Sequence, residues 1–124
     1  MRYKGDKGKL WKIVSEYVRK RDGNKCVTCN RDKADGWVMN AGHYQPMGYV
    51  GSNNTLSWDE FNIHCQCARC NGPGLGEQEL MANYIERKYG KKKLEELKSR
   101  RYKVDPVKDW KALIEYYKEK LKSL

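Results

Sequence analysis

Two C-x-x-C pairs, Cys26-Val27-Thr28-Cys29 and Cys67-Ala68-Arg69-Cys70, constrain this chain more than any other feature. Each pair forms a tight turn that aims two sulfurs at one point. Two such pairs are the signature of a tetrahedral zinc site with four cysteine ligands. The all-thiolate shell of Cys26, Cys29, Cys67 and Cys70 is closed, so the expected Zn2+ is structural; a catalytic zinc keeps a position open for water. Four unrelated reduced cysteines are the competing reading, and the matched spacing argues against it. A metal clip matters because 124 residues make one domain with a small core. Cys65 is left over. Two residues before Cys67, it would face the same side of a strand, and it reads as a buried small apolar residue rather than as a rival ligand.

The chain carries 26 Lys+Arg against 16 Asp+Glu, a formal charge of +10. Four thiolates and one Zn2+ would add about −2, which leaves a strongly positive balance. Such a balance favours a polyanionic partner, and nucleic acid is the commonest one. No apolar run is long enough for a signal peptide or a membrane span. With cysteines at metal spacing, this leads us to expect a reducing cytoplasm, with no membrane partner.

The expected architecture is α+β, in three stretches of one domain: an N-terminal helix over 8–22, a zinc-anchored core over 24–90 and a helical extension over 91–124. Residues 1–8 read as a loose arm. Leu10, Ile13, Val14, Tyr17 and Val18 line one face of a helix, which closes on Arg19-Lys20-Arg21 and stops at Asp22-Gly23. Residues 37–43 suit a strand, 45–54 a loop, and 55–66 a second strand or extended segment. Gly72-Pro73-Gly74 reads as a loop. A helix begins at Glu77 with Leu80, Met81, Tyr84 and Ile85 on one face and ends at Gly90; a short one follows, with Leu94 and Leu97 spaced for a core. Asp105-Pro106 reads as the start of a last helix, which carries Trp110, Leu113, Ile114, Tyr117 and Leu121. Trp110, Tyr116 and Tyr117 could stack on bases, but helical spacing favours core packing for Trp110 and Tyr117.

His43 follows the first strand and precedes a Gly-rich loop. A neutral imidazole can take a proton from water, and the hydroxide so made could attack a phosphodiester. Taken alone, His43 is better read as a structural or surface histidine. Its neighbours change that: Gly42-His43, then Asn62-Ile63-His64-Cys65-Gln66-Cys67, then Cys70-Asn71, in that order. This register resembles the HNH, or ββα-metal, nuclease family over roughly residues 24–85. In its zinc-bearing branch, the first C-x-x-C precedes a strand ending in the catalytic His. A middle Asn stands five residues before the second pair, and the last catalytic residue follows it directly. More narrowly, Ala41-Gly42-His43-Tyr44, Tyr84, Lys88-Tyr89-Gly90 and Trp11 with Tyr17-Val18-Arg19 resemble the phage recombination nucleases of the NinG/Rap type.

That resemblance implies a zinc-anchored ββα-metal core and a metal-dependent DNA endonuclease acting on branched DNA. His43 would be the general base. Asn62 would fix the loop or orient His43. Asn71 would ligate Mg2+ or Mn2+, which would stabilise the leaving 3′ oxygen. Arg19, Lys20, Arg21 and Arg69 are the candidate phosphate contacts; for the first three, a solvated, dipole-matched helix end explains the charges equally well. The chain departs from the family at Gly42, where many members carry Asp or His as a second ligand. His64, Asp59, Glu77 or water are the substitutes. A homodimer would suit paired cuts, and a phage origin would place the protein in the host cytoplasm. The rival function is a non-catalytic zinc-knuckle nucleic-acid-binding module, and a third is a basic scaffold in which zinc serves folding alone.

Overall fold

The computed structural model describes residues 3–72 and 77–124. The first helix, α1, spans Gly5–Arg21, so it begins three residues earlier than expected and takes in much of the supposed arm. Close packing explains the extension: Gly8 lies so near the Tyr3 carbonyl that a Cβ there would stand 2.5 Å from it. Gly8, Leu10, Val14, Tyr17 and Val18 are its buried residues. The helix stops where Gly23 and Asn24 take positive φ of 71° and 55°.

Strand β1, Met39–His43, pairs antiparallel with β2, Ile63–Cys67, in the register Met39↔Cys67 to His43↔Ile63. The second strand begins at Ile63, later than the strand or extended segment expected from residue 55. Residues 47–50 form one helical turn, α2, Met47–Val50. Thr55–Trp58 is a 3₁₀ turn, capped by the Asn54 side chain accepting from Leu56 N. Asp59 then accepts from Phe61 N, so side-chain bonds to the backbone turn the chain until Ile63.

Helices α3, Gln78–Tyr89, and α4, Lys91–Ser99, meet at Gly90, whose φ of 98° ends the first. The last helix, α5, spans Trp110–Lys122 and is capped by Asp109, which accepts from Ala112 N at 3.0 Å. The expected cap, Asp105-Pro106, serves elsewhere: Thr55 N donates to Asp105 O and Val107 N to Asn53 O. That segment straps the loop before the 3₁₀ turn. The predicted loop at 72–74 lies largely outside the described residues.

One core cluster joins α1 and α5 to Ala41, Trp58 and Ile63. A second joins α3 and α4 to Tyr44 and Leu56. The fully buried Trp58 meets Trp11 and Trp110 edge-on at 6.0 and 5.6 Å between ring centres, and Tyr117 donates its hydroxyl proton to the Trp58 carbonyl. Trp110 and Tyr117 therefore pack in the core. Tyr116 is half exposed and donates to Glu60 Oε1. Among the described residues, no helix is long and apolar enough to cross a membrane.

Candidate metal centre and active site

The sulfurs of Cys26, Cys29, Cys67 and Cys70 all lie within 4.8 Å of one another. Cys29 and Cys67 Sγ stand 3.7 Å apart. A tetrahedron with Zn–S bonds of about 2.3 Å has an edge of about 3.8 Å, so the cluster is sized for a metal such as zinc. Backbone geometry explains the convergence. Asn30 N donates to Cys26 O at 2.8 Å, with Asn30 in the left-handed region at φ 66°, and Cys26 N donates to Arg31 O. In the second pair, Cys70 N points at Cys67 Sγ at 3.4 Å and Asn71 N donates to Cys67 O. Arg31 donates to Cys29 Sγ at 3.1 Å while its guanidinium covers the Trp37 ring. Cys65 is buried outside the cluster; burial pushes its thiol up to about 12, and its carbonyl accepts from Val27 N. It stays a thiol, as its reading as a small apolar residue requires.

His43 closes β1. Its Nε2 stands 2.8 Å from the Ser57 carbonyl. A carbonyl only accepts, so Nε2 carries the proton and the lone pair falls on Nδ1. The Trp11 indole stacks on the ring at 5.8 Å and 10°. Burial holds the imidazole below its ordinary pKa, against the opposing pull of the Ser57 carbonyl, so it is neutral near pH 7. A neutral, oriented imidazole with a defined basic nitrogen is what a proton acceptor needs.

Asn62 is fully buried and does not bond to the His43 ring. Its Oδ1 accepts from Gln45 N at 2.8 Å; its Nδ2 donates to the Gln45 and Leu56 carbonyls. It clamps the chain after β1 to the 3₁₀ turn. Because that turn presents the Ser57 carbonyl to His43, Asn62 fixes the loop and so positions the His43 ring at one remove.

Asn71 reaches the same strand from the other pair of cysteines. A Cβ on Gly42 would stand 3.0 Å from Asn71 Oδ1 and 2.0 Å from Gln66 Oε1. Residue 42 is glycine because two amide oxygens fill the space that its side chain would take. Successive residues of a strand face opposite sides. Position 42 thus opens toward Asn71 and Gln66, while the His43 ring lies on the α1 side.

The remaining candidates separate. His64 is fully buried; its Nε2 donates to Phe61 O at 2.7 Å and its Nδ1 meets Arg21 Nη2 at 3.0 Å. Burial first, and the Arg21 charge second, bring it down to about 4. Both ring nitrogens serve the fold. Arg21 is turned inward as well: it pairs with Asp22 through Nε at 2.8 Å, and donates to the carbonyls of Glu60 and Ile63. Arg19 is half-buried and returns Nε to Ser15 O, whereas Lys20 and Arg69 are exposed. Three residues escaped the sequence reading of the site. Ser57 acts through its backbone, which leaves no residue signature. Gln66 looks like an ordinary strand residue. Trp11 carried a signal, since it adjoins the Leu10–Val14 stripe.

The family model described as bacteriophage lambda NinG protein matches residues 3–124. The protein named ninG of Escherichia phage 933W is 28% identical over 113 residues, covering 90% of this chain and 54% of that protein. The same name and figures hold for Enterobacteria phage VT2-Sa. The ninG protein of Escherichia phage lambda is 27% identical over 113 residues, covering 90% of this chain and 53% of that protein. This chain spans about half the length of these relatives. No solved structure matches it. With nearly its whole length matched, the chain belongs to the bacteriophage NinG protein family.

Proposed function

We propose that this protein is a metal-dependent DNA endonuclease of the HNH type, with Zn2+ on its four cysteines holding the fold. The observation that carries the reading is the end of β1, where a neutral imidazole with its lone pair on Nδ1 adjoins a glycine overhung by the Asn71 carboxamide oxygen. Neighbouring Cα atoms are about 3.8 Å apart, so one phosphate can engage both positions. In-line displacement at phosphorus sets the attacking and leaving oxygens on opposite sides. A base on one face of the strand and oxygen donors on the other suit that requirement.

In this mechanism His43 Nδ1 accepts the proton of the attacking water. Ser57 O holds the Nε2 proton and steadies the imidazolium that forms, while Trp11 fixes the ring plane. Asn62 keeps the Ser57 turn in place. Asn71 Oδ1 fits a hard cation, since amide carbonyls are oxygen donors that such ions accept. A bound Mg2+ or Mn2+ supplies Lewis-acid stabilisation of the leaving 3′ oxygen, leaving a 5′ phosphate. Lys9 and Lys12 are exposed on α1. With Lys20 and Arg69 they suit phosphate rather than base contacts. Branched recombination intermediates as substrate, a homodimer making paired cuts and action in the host cytoplasm follow from the family resemblance.

The test is a cleavage panel of linear duplex, single strand, flap and four-way junction, each with Mg2+, Mn2+ or EDTA. Cleavage that needs the divalent ion and the His43 imidazole supports the proposal. Salt-sensitive binding without cleavage by the purified, zinc-loaded protein would replace it with a nucleic-acid-binding module.

A further inference from the structure

The notch at Gly42 holds more than Asn71. Gln66 Oε1 comes within 2.0 Å, and Asn71 Oδ1 within 3.0 Å, of the one point where a Cβ on residue 42 would lie. Gln66 is fully buried on β2, two residues beyond His64, which pairs with Gly42. Side chains two apart share a sheet face, so register alone delivers the Gln66 carboxamide to the notch.

The orientation of that carboxamide follows from the cysteine cluster. Gln66 Nε2 lies 3.2 Å from Thr28 Oγ1, and Thr28 Oγ1 lies 3.2 Å from Cys26 Sγ. A metal-bound thiolate only accepts, so Thr28 donates to Cys26 and accepts from Gln66. The amide nitrogen therefore faces Thr28, and the oxygen faces Gly42 and Asn71.

We propose that Gln66, through Oε1, ligates the same divalent cation as Asn71, in the space where a carboxylate or imidazole on residue 42 would otherwise serve. The inference deepens the endonuclease reading and rests on its cation site. Both donors are hard oxygens, which select Mg2+ or Mn2+ over softer ions. Neither is charged. The cation thus needs the negative charge of a nucleic-acid phosphate, and its affinity rises when DNA is bound. The zinc clip becomes a positioning device as well as a staple, because Cys26 and Thr28 aim the ligand.

The test is Mn2+ binding by the zinc-loaded full chain, followed by the loss of the free-ion EPR signal, alone and with saturating duplex DNA. Four proteins are compared: parent, Gln66→Met, Gln66→Glu and Asn71→Ala, with zinc content measured on each. Loss of supporting groups at metal sites costs about 10–100-fold in affinity, and loss of a direct ligand should cost at least as much. Gln66→Met and Asn71→Ala should each weaken Mn2+ by about tenfold or more, and Gln66→Glu should tighten it by a similar factor. Should Gln66→Met lose zinc, Gln66→Glu decides alone. Mn2+ affinity indifferent to residue 66, or no Mn2+ bound by the parent even with DNA, overturns the assignment. If Mn2+ follows the expected pattern but no DNA is cut, the cation site stands and the endonuclease reading falls. If DNA is cut with a metal dependence that Gln66→Glu leaves unmoved, the enzyme stands and Gln66 is not a ligand.

Discussion

Replacing Arg21 by Met separates a strut from a DNA contact. The Arg21 side chain is 14% exposed and its partner Asp22 only 3%. Its Nε and Nη2 engage both Asp22 oxygens, at 2.8 and 3.0 Å. Nη1 reaches Glu60 O at 2.7 Å, and Nη2 also reaches Ile63 O at 2.8 Å. Burial alone would lower its pKa, but the Asp22 carboxylate outweighs burial and holds the guanidinium charged. Met keeps most of the aliphatic volume and removes every donor. Breaking one side of a buried pair costs about 3–5 kcal/mol, because the other charge stays behind without its partner. The carbonyl losses overlap with that figure rather than adding to it. With a urea slope of about 1.5 kcal/mol/M, the unfolding midpoint of the zinc-loaded protein should fall by about 2–3 M. Exposed Lys20 is the control. Lys20→Gln should leave stability within about 0.5 kcal/mol. If Lys20 meets a phosphate, the salt slope of DNA binding should shrink by about 0.9. An Arg21→Met protein within about 1 kcal/mol of the parent, but with a reduced salt slope, would refute the inward placement and restore Arg21 to the DNA surface.

Other outcomes follow from the same geometry. His43→Ala should keep zinc and DNA affinity yet lose about 10²–10⁴ in cleavage rate, as removal of a general base does; parental cleavage rates in that variant would end its role as base. Since burial lowers the His43 pKa, cleavage should rise with pH through a midpoint below the ordinary imidazole value, read as kcat/KM against pH. His64 is held at about 4 against an ordinary 6.5. Above pH 6.5 neither state is protonated and His64 makes no pH-dependent difference. Between 6.5 and 4 the unfolded chain takes up a proton that the folded chain refuses, so stability falls as pH falls, by about 3 kcal/mol in all. His64→Gln should remove one proton from that slope in urea titrations, and an unchanged slope would contradict the burial. Cys67→Ser should lower bound zinc from about one per chain and destabilise the domain before any effect on chemistry is measurable; full zinc retention by atomic absorption would contradict the four-sulfur site.

The sequence by itself determined what depends on local spacing. The two C-x-x-C pairs prescribe tight turns, so the cysteines that converge could be named from their intervals. The stripe of Leu10, Val14 and Val18 prescribes α1 with one buried face, and Gly90 prescribes the stop of α3 through a φ that other residues resist. The tertiary structure decided what depends on partners distant in the chain. Asn54 accepts from Leu56 N and opens a 3₁₀ turn where an extended segment was expected, Asp59 accepts from Phe61 N just beyond it, and that 3₁₀ turn carries the carbonyl that sets the His43 tautomer. Arg21 and His64 carry charge or a ring that reads equally well as surface chemistry, and only the packing of α1 against β2 shows them bonded to each other inside. Gly42 looked like a missing ligand because a sequence records no volume. Once β1 and β2 pair and the second C-x-x-C turn brings Asn71 over them, the space at residue 42 is already filled by two oxygens. Local rules act over three or four residues, whereas the site is assembled by register and burial across more than fifty, and those are properties of the folded chain alone.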